Sequence, residues 1–177
     1  DDVRVPADCL LGGHEGRGLQ QALSALEVGR INVAARAVGV AQAAYDAASR
    51  YSRERHVVDR HGATGRAQPI ADFQAIQLKL ADMATNVQAA RLLTWWAASE
   101  LDAGHRADLQ TSMAKVFASE TALSSALESL RVHGGAGYST ELDVERLYRD
   151  APLMAIGEGT NDVLRLLIAR RLREPAA

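Results

Sequence analysis

A line of residues between positions 19 and 51 constrains the fold more than any other feature of the chain. Its members recur at alternating spacings of four and three, which places them on one face of a helix. They are Leu19, Leu23, Leu26, Arg30, Val33, Ala37, Val40, Ala44, Ala47 and Tyr51. The pattern predicts one helix from about Gly18 to Arg53 that buries this face against other helices.

Two further segments repeat the pattern. Residues 54–68 are polar and aperiodic and are predicted to be a loop, and Pro69 suits the first turn of a second helix that runs to about Leu101. Its inward residues are Phe73, Ile76, Leu80, Met83, Val87 and Ala90. A third helix is expected at about 107–132. Its predicted inward residues are Met113, Val116, Leu123, Leu127 and Leu130.

The rest of the chain completes a bundle. A short helix is predicted at 142–148, ending before Pro152, and a last helix at about 161–173. Three long helices, a shorter last one and short turns predict an all-α, up-down four-helix bundle. We assign residues 18–177 to this bundle and residues 1–17 to an extended entry segment.

Composition supports this fold class and excludes several functions. Only 5% of the 177 residues are aromatic, which suits closely packed helices better than a sheet sandwich. A net charge of −2 gives no footprint for nucleic acid or an anionic membrane. The single Cys9 excludes an internal disulfide and fits a reducing, cytoplasmic compartment. No histidine pair has metal-ligand spacing, so no metal site is expected.

The segment from Gly157 to Asn161 places a lone carboxylate, Glu158, between two glycines and just before a helix. Thr160 or Asn161 can cap that helix. Glu158 has two interpretations from pattern alone. It is a carboxylate that stabilises the helix N-terminus, or it is aimed at a ligand that the glycines allow to come close.

Other candidates also have two interpretations. Arg30 occupies an inward position, so it needs an internal ion pair, with Glu27 or with another helix, or a polar ligand. The glycines after His133 either end a helix or expose backbone N–H groups to a phosphate or a flavin edge. For residues 53–56 the pattern alone favours a solvated, charged helix end.

Taken together, these segments resemble the C-terminal helical domain of acyl-CoA dehydrogenases. The matching stretches occur in family order and cover nearly the whole chain. They are residues 2–6 (DVRVP), 29–36 (GRINVAAR), 70–77 (IADFQAIQ), 80–84 (LADMA), 133–138 (HGGAGY), 144–150 (VERLYRD) and 158–160 (EGT). The family's N-terminal helical domain and middle β domain have no counterpart here, so we expect the chain to be a piece of a longer protein.

The resemblance implies a chemistry. The family oxidises acyl-CoA to trans-2-enoyl-CoA with FAD, and Glu158 matches the base that removes the α-proton. Some relatives carry their base on the first long helix, at the position of Gly29. Glu27, Arg30 and Gly159 match substrate contacts. The residues that match FAD contacts are Arg55, Gln74, Arg131, Gly134, Gly135, Thr160 and Asp162.

The resemblance also implies partners. The intact enzyme would be a homo-tetramer, a dimer of dimers, in which Arg55, Gln74 and the 131–135 loop reach the FAD of a neighbouring subunit. It would pass electrons to an electron-transferring flavoprotein. An acyl-CoA oxidase, a flavin monooxygenase relative, and a degenerate structural partner subunit remain as alternatives.

The chain departs from the family pattern at four places. Gly157 stands where an aromatic residue is usual, residues 56–66 are longer than the family's connection, and Arg131 and Asp162 replace common amides or Glu. These departures concern the acyl pocket and the FAD contacts.

Overall fold

A computed structural model describes residues 2–58 and 66–173. The helices are α1 (Gly18–Glu54), α2 (Gln74–Asp102), α3 (Asp108–His133), α4 (Val144–Ile156) and α5 (Asn161–Arg171). A short antiparallel hairpin, β1 (His56–Val58) and β2 (Ala67–Pro69), joins α1 to α2. Short 3-10 turns precede α1 and α2 and follow α3. The all-α bundle predicted from the sequence is confirmed.

Helix α3 is the centre of the bundle, since it packs against each of the other four helices. Its buried face consists mostly of small side chains, which let neighbouring backbones approach closely. These residues are Thr111, Ser112, Ala114, Ala118, Ser119, Thr121, Ala122, Ser125, Ala126 and Ser129. The larger residues predicted to face inward, Met113, Val116, Leu123, Leu127 and Leu130, are only half-buried. Small residues, not leucines, therefore form the centre of the core.

The inward face of α1 is buried only from Val33 onward. Val33, Ala37 and Ala44 are buried as predicted, but Leu19, Leu23 and Leu26 are exposed in this chain. The reason is length. Helix α1 has 37 residues and is about 55 Å long, whereas the 26-residue α3 is about 39 Å long. The first turns of α1 therefore extend beyond the part of the bundle that could cover them.

Three local predictions were wrong. The 54–68 stretch contains the two strands of the hairpin, although residues 59–65 lie outside the described residues. Pro69 ends β2 instead of starting α2. Helix α4 continues through Pro152 to Ile156. Pro152 is exposed, so water can satisfy the backbone carbonyl that a proline leaves without its helical partner.

None of the described helices combines the length and the apolar character needed to cross a membrane.

Candidate functional site

The turn at residues 157–160, called here the Glu158 turn, joins α4 to α5. Glu158 has φ of 56° and Gly159 has φ of 94°, so two consecutive residues are left-handed. A non-glycine residue rarely adopts this conformation, because its Cβ approaches the backbone. Such a residue is unfavourable unless the surrounding structure holds it, and strained residues of this kind cluster at functional sites.

Thr160 caps the following helix. It is the N-cap of α5, and its hydroxyl accepts a hydrogen bond from the Val163 amide at 3.4 Å, as predicted. The Glu158 side chain therefore is not the cap. Its carboxylate lies elsewhere, against helix α1.

The Glu158 carboxylate packs on the backbone of Gly29. A Cβ built on Gly29 would lie 2.5 Å from Glu158 Oε2 and 2.7 Å from its Cδ. The carboxylate thus occupies the space that a side chain on α1 would need. The two positions at which the resemblance places the family's alternative bases are therefore neighbours in this fold, and Glu158 is half-buried there.

Arg30 lies next to Gly29 on the same helix and has an unsatisfied donor. Its Nε is buried and lacks a hydrogen-bond partner, and no carboxylate within residues 2–58 and 66–173 forms an ion pair with it. The internal ion pair with Glu27 or another helix is therefore not present. Arg30 as a whole is half-buried, and a buried donor without an acceptor is costly, so this site has the chemistry to receive a polar ligand.

Lys115 on α3 holds the Glu158 turn from inside the bundle. Its side chain is fully buried, and its Nζ donates to the Gly159 carbonyl at 2.8 Å and to Asn161 Oδ1 at 2.9 Å. Burial, together with the nearby Arg30 guanidinium, lowers the pKa of Lys115 to about 8, although Glu120 acts in the opposite direction. Sequence reasoning missed this residue. The signal was available, since Thr111, Lys115, Ala118 and Ala122 follow the four-three spacing of an inward face.

Asn161 joins the same buried cluster. Its amide Nδ2 lies 3.0 Å from Ser119 Oγ and 2.8 Å from Glu120 Oε1. Glu120 also accepts from Arg165 at 2.9 Å. The start of α5 is therefore tied to α3 by a connected set of polar side chains. Asp162, by contrast, is exposed and pairs with Arg165 at 3.3 Å.

The other predicted residues lie at the opposite end of the bundle, called here the distal end: Arg55, Gln74, Arg131, Gly134 and Gly135. This end collects the C-terminus of α1, the start of α2 and the C-terminus of α3. Arg55 holds the hairpin through its backbone, since its carbonyl accepts from the Ile70 amide at 2.8 Å. Arg131 pairs with Glu128 at 2.5 Å. Gly134 ends α3 with φ of 59°, as the helix-ending interpretation predicts.

The distal end presents exposed donors. The side chains of Arg55 and Gln74 are exposed and have no hydrogen-bond partner within the described part of the chain. Nothing lies within 4 Å of a Cβ built on Gly134 or Gly135, so their backbone is open to a ligand. Along α1, Arg30 and Glu54 are about 36 Å apart. The structure therefore separates the predicted residues into two groups.

No three His, Cys, Asp or Glu side chains are grouped closely enough to hold a metal within the described ranges.

Comparison with known proteins relates this geometry to a family. Residues 16–173 match the acyl-CoA dehydrogenase C-terminal domain. A probable acyl-CoA dehydrogenase of Bacillus subtilis is 47% identical over 172 residues, which are 97% of this chain and 43% of that protein. A 3-(aryl)acrylate reductase of Clostridium sporogenes is 45% identical with the same coverage.

A solved structure shows the same fold. Butyryl-CoA dehydrogenase from Megasphaera elsdenii superposes with a TM-score of 0.89 and 39% identity, covering 98% of this chain and 43% of that one. The chain thus spans less than half the length of the relatives it matches. It belongs to the acyl-CoA dehydrogenase family, as the counterpart of that family's C-terminal domain.

Proposed function

We propose that the full-length protein containing this chain oxidises acyl-CoA thioesters to trans-2-enoyl-CoA, with Glu158 as the base that removes the α-proton. One observation carries the proposal. The only carboxylate of the left-handed turn is set against a glycine on α1, beside a half-buried arginine whose Nε is buried and has no hydrogen-bond partner. Membership in the acyl-CoA dehydrogenase family supplies the reaction class.

The chemistry suits a carboxylate. The thioester carbonyl makes the α-proton acidic, and a positioned carboxylate can accept it. FAD, when bound, would accept the hydride from the β-carbon. The protein's own task is then to hold the carboxylate in line with the α-proton, because a small displacement of a catalytic group lowers the rate strongly. The Glu158 turn, held by α3 and by Gly29, performs this positioning.

Arg30 is the proposed contact for the polar part of the acyl-CoA. Its unsatisfied Nε provides a donor adjacent to the base. Glu27, one turn earlier and half-buried, and Gly159, which is exposed beside the base, complete the proposed substrate contacts. These residues lie beside Glu158, so the polar portion of the substrate and the reacting carbon would be bound next to each other.

The two groups of FAD residues suggest an oligomer. Thr160 and Asp162 are near Glu158 and would serve the flavin of the same active site. Arg55, Gln74, Arg131, Gly134 and Gly135 are too distant to contact that same molecule, since about 36 Å of helix separates the two ends. They fit the cofactor of a neighbouring subunit, which supports an oligomer, and we propose the homo-tetramer that the family resemblance implies. Electron transfer to an electron-transferring flavoprotein completes the proposal.

The test begins with a chain-length series from butyryl-CoA to palmitoyl-CoA, added anaerobically to the full-length flavoprotein. We expect one range of chain lengths to bleach the flavin absorbance. With the best substrate, Glu158→Gln should slow flavin reduction by roughly 10²- to 10⁴-fold, the contribution of a general base. FAD content and substrate binding should be retained.

Glu141→Gln is the matched control, because Glu141 is an exposed carboxylate between α3 and α4. It should reduce at the wild-type rate. Near-normal bleaching in Glu158→Gln would refute the assignment of the base. Rapid reoxidation of the reduced flavin by O₂ would replace the electron-transferring flavoprotein with oxygen as the acceptor.

A further inference from the structure

Lys115 is an unusual choice for the centre of an alanine-rich bundle. The sequence contains two lysines, and this one is fully buried. Both acceptors of its ammonium group are uncharged: the Gly159 carbonyl and the Asn161 side-chain oxygen. A buried cation with only neutral partners destabilises a fold relative to an apolar residue of similar size. Its presence therefore calls for a role other than stability.

The electrostatic surroundings strengthen this point. Arg30 on α1 adds a second positive charge nearby, and Glu120 on α3 compensates only in part, so the pKa of Lys115 falls to about 8. From α5, Asn161 contributes a dipole but no charge. The ammonium group is thus kept at an electrostatic cost at the point where α1, α3 and α5 meet.

What Lys115 holds is the residue after the candidate base. The Gly159 carbonyl follows Glu158 directly, and both residues are left-handed. A non-glycine residue in this conformation relaxes unless its neighbours are fixed. Lys115 fixes the carbonyl on one side, while Asn161, itself bound to Ser119 and Glu120, fixes the start of α5.

We propose that Lys115 is a positioning residue for catalysis: its hydrogen bond to the Gly159 carbonyl holds Glu158 in the left-handed turn that sets the carboxylate against Gly29. This inference rests on the proposed role of Glu158. The side chain of Lys115 is fully buried, which leaves it no surface to offer to a ligand. It acts only through the backbone of the turn.

The primary test compares Lys115→Met with Lys79→Met in the full-length flavoprotein. Lys79 is the other lysine, and it pairs with Glu128 on the α2–α3 face away from the Glu158 turn. Hydrogen exchange at the amides of residues 157–163 is measured first. We expect faster exchange in Lys115→Met and unchanged exchange in Lys79→Met. Equal exchange in wild type and Lys115→Met would overturn the proposal.

A double-mutant cycle then asks whether Lys115 acts through Glu158. With the best acyl-CoA of the chain-length series at saturation, Lys115→Met should slow flavin reduction by roughly 10- to 100-fold. In the Glu158→Gln background the same substitution should change the rate by less than about threefold, since the base it positions is gone. An equal factor in both backgrounds would indicate general disruption and overturn the proposal.

Asn161→Ala provides a second route if Lys115→Met does not fold. It keeps the buried lysine but removes Asn161 Oδ1, one of the two acceptors that fix the Lys115 ammonium group, together with the link to Ser119 and Glu120. It should show faster exchange at 157–163 and the same dependence on Glu158. Wild-type behaviour would count against the proposal. Normal reduction by Glu158→Gln alone would instead refute the proposed function, while the exchange data would still report whether Lys115 holds the turn.

Discussion

The Glu158 turn and the distal end differ in how their polar groups are held. Around the turn, Lys115, Ser119 and Asn161 are buried and hydrogen-bonded to one another or to the turn. At the distal end, the side chains of Arg55 and Gln74 are exposed and have no partner in the described part of the chain. The turn that carries the proposed base is thus held by contacts within the chain, whereas the proposed FAD-binding side chains of the distal end are left open to solvent.

The largest expected effect is on the free energy of unfolding, because burying the Lys115 ammonium group destabilises the fold. The pKa of Lys115 is about 8 in the folded protein and near 10.4 in an unfolded chain. Between these values the unfolded state binds a proton that the folded state does not, so stability rises with pH across this window. Below pH 8 the full penalty is present, up to about 3 kcal/mol.

Lys115→Met should remove this dependence. We expect the variant to unfold at a higher temperature than wild type at pH 7 and to lose that advantage between pH 8 and 10. Lys79→Met, which removes a half-buried lysine, should show no comparable change in this window. A stability difference between wild type and Lys115→Met that does not vary with pH would contradict the lowered pKa.

Gly29→Ala tests the other side of the turn. The new Cβ would lie 2.5 Å from Glu158 Oε2, so the carboxylate must move. Because the contacting atom ends a flexible side chain, the fold should tolerate the change, and alanine favours the helix by up to about 1 kcal/mol. Activity should fall by roughly 10- to 100-fold at saturating acyl-CoA, as expected for a displaced base.

Gly39→Ala is the matched control on the same helix. No atom lies within 4 Å of a Cβ at Gly39, so this variant should gain helix stability and keep wild-type flavin reduction. If the two alanine variants reduce flavin at equal rates, the contact between Gly29 and Glu158 does not set the position of the base.

The contrast between the two regions also explains what sequence could predict. Periodicity predicts both ends of α1 and α3 and the end of α2 to within about two residues, because glycine-rich or polar breaks flank these segments, but it starts α2 at Pro69, five residues before its first residue, Gln74. The glycines and the capping threonine of the Glu158 segment are local signals, so the sequence alone points to this turn. Thr160 indeed caps α5.

Other features depend on contacts that periodicity does not contain. Leu19, Leu23 and Leu26 share a face with buried residues, yet only the relative lengths of α1 and α3 decide which of them are covered. The three-residue strands of the hairpin are too short to show alternation. Whether Arg30 finds a carboxylate depends on helices distant in sequence, and in this fold its Nε has no partner. The hydrogen bond from Lys115 to the Gly159 carbonyl likewise joins residues that are 44 positions apart.

Substitutions at the distal end should weaken FAD binding and leave the rate of flavin reduction unchanged. Arg55→Ala and Gln74→Ala each remove an exposed donor, and we expect the Kd for FAD to rise about tenfold, or about 1.4 kcal/mol. At saturating FAD the rate of flavin reduction should match wild type. Arg36→Ala, an exposed arginine on α1, is the control and should leave the Kd unchanged. A large fall in the reduction rate at saturating FAD would remove the distinction between the two regions.

The smallest expected effect comes from His133, a buried titratable group at the distal end. His133 stacks on Tyr51 with ring centroids 4.3 Å apart, and its Nδ1 lies 2.7 Å from the Ser129 carbonyl. Burial lowers the pKa of His133 below 6.5; Arg50 also lowers it, and the Ser129 contact opposes them. The unfolded chain therefore binds a proton first as pH falls, and stability is lost below about pH 6.5.

His133→Gln should reduce this acid sensitivity, because the amide can still donate to Ser129 but does not titrate. We expect the difference in unfolding temperature between pH 7.5 and pH 5.5 to be smaller in this variant than in wild type. His14→Gln, at an exposed histidine before α1, should retain the wild-type difference. At pH 7.5 and saturating FAD, flavin reduction should be the same in all three proteins, since His133 lies at the distal end, far from the proposed base. A slower reduction in His133→Gln would mean that the two regions are coupled.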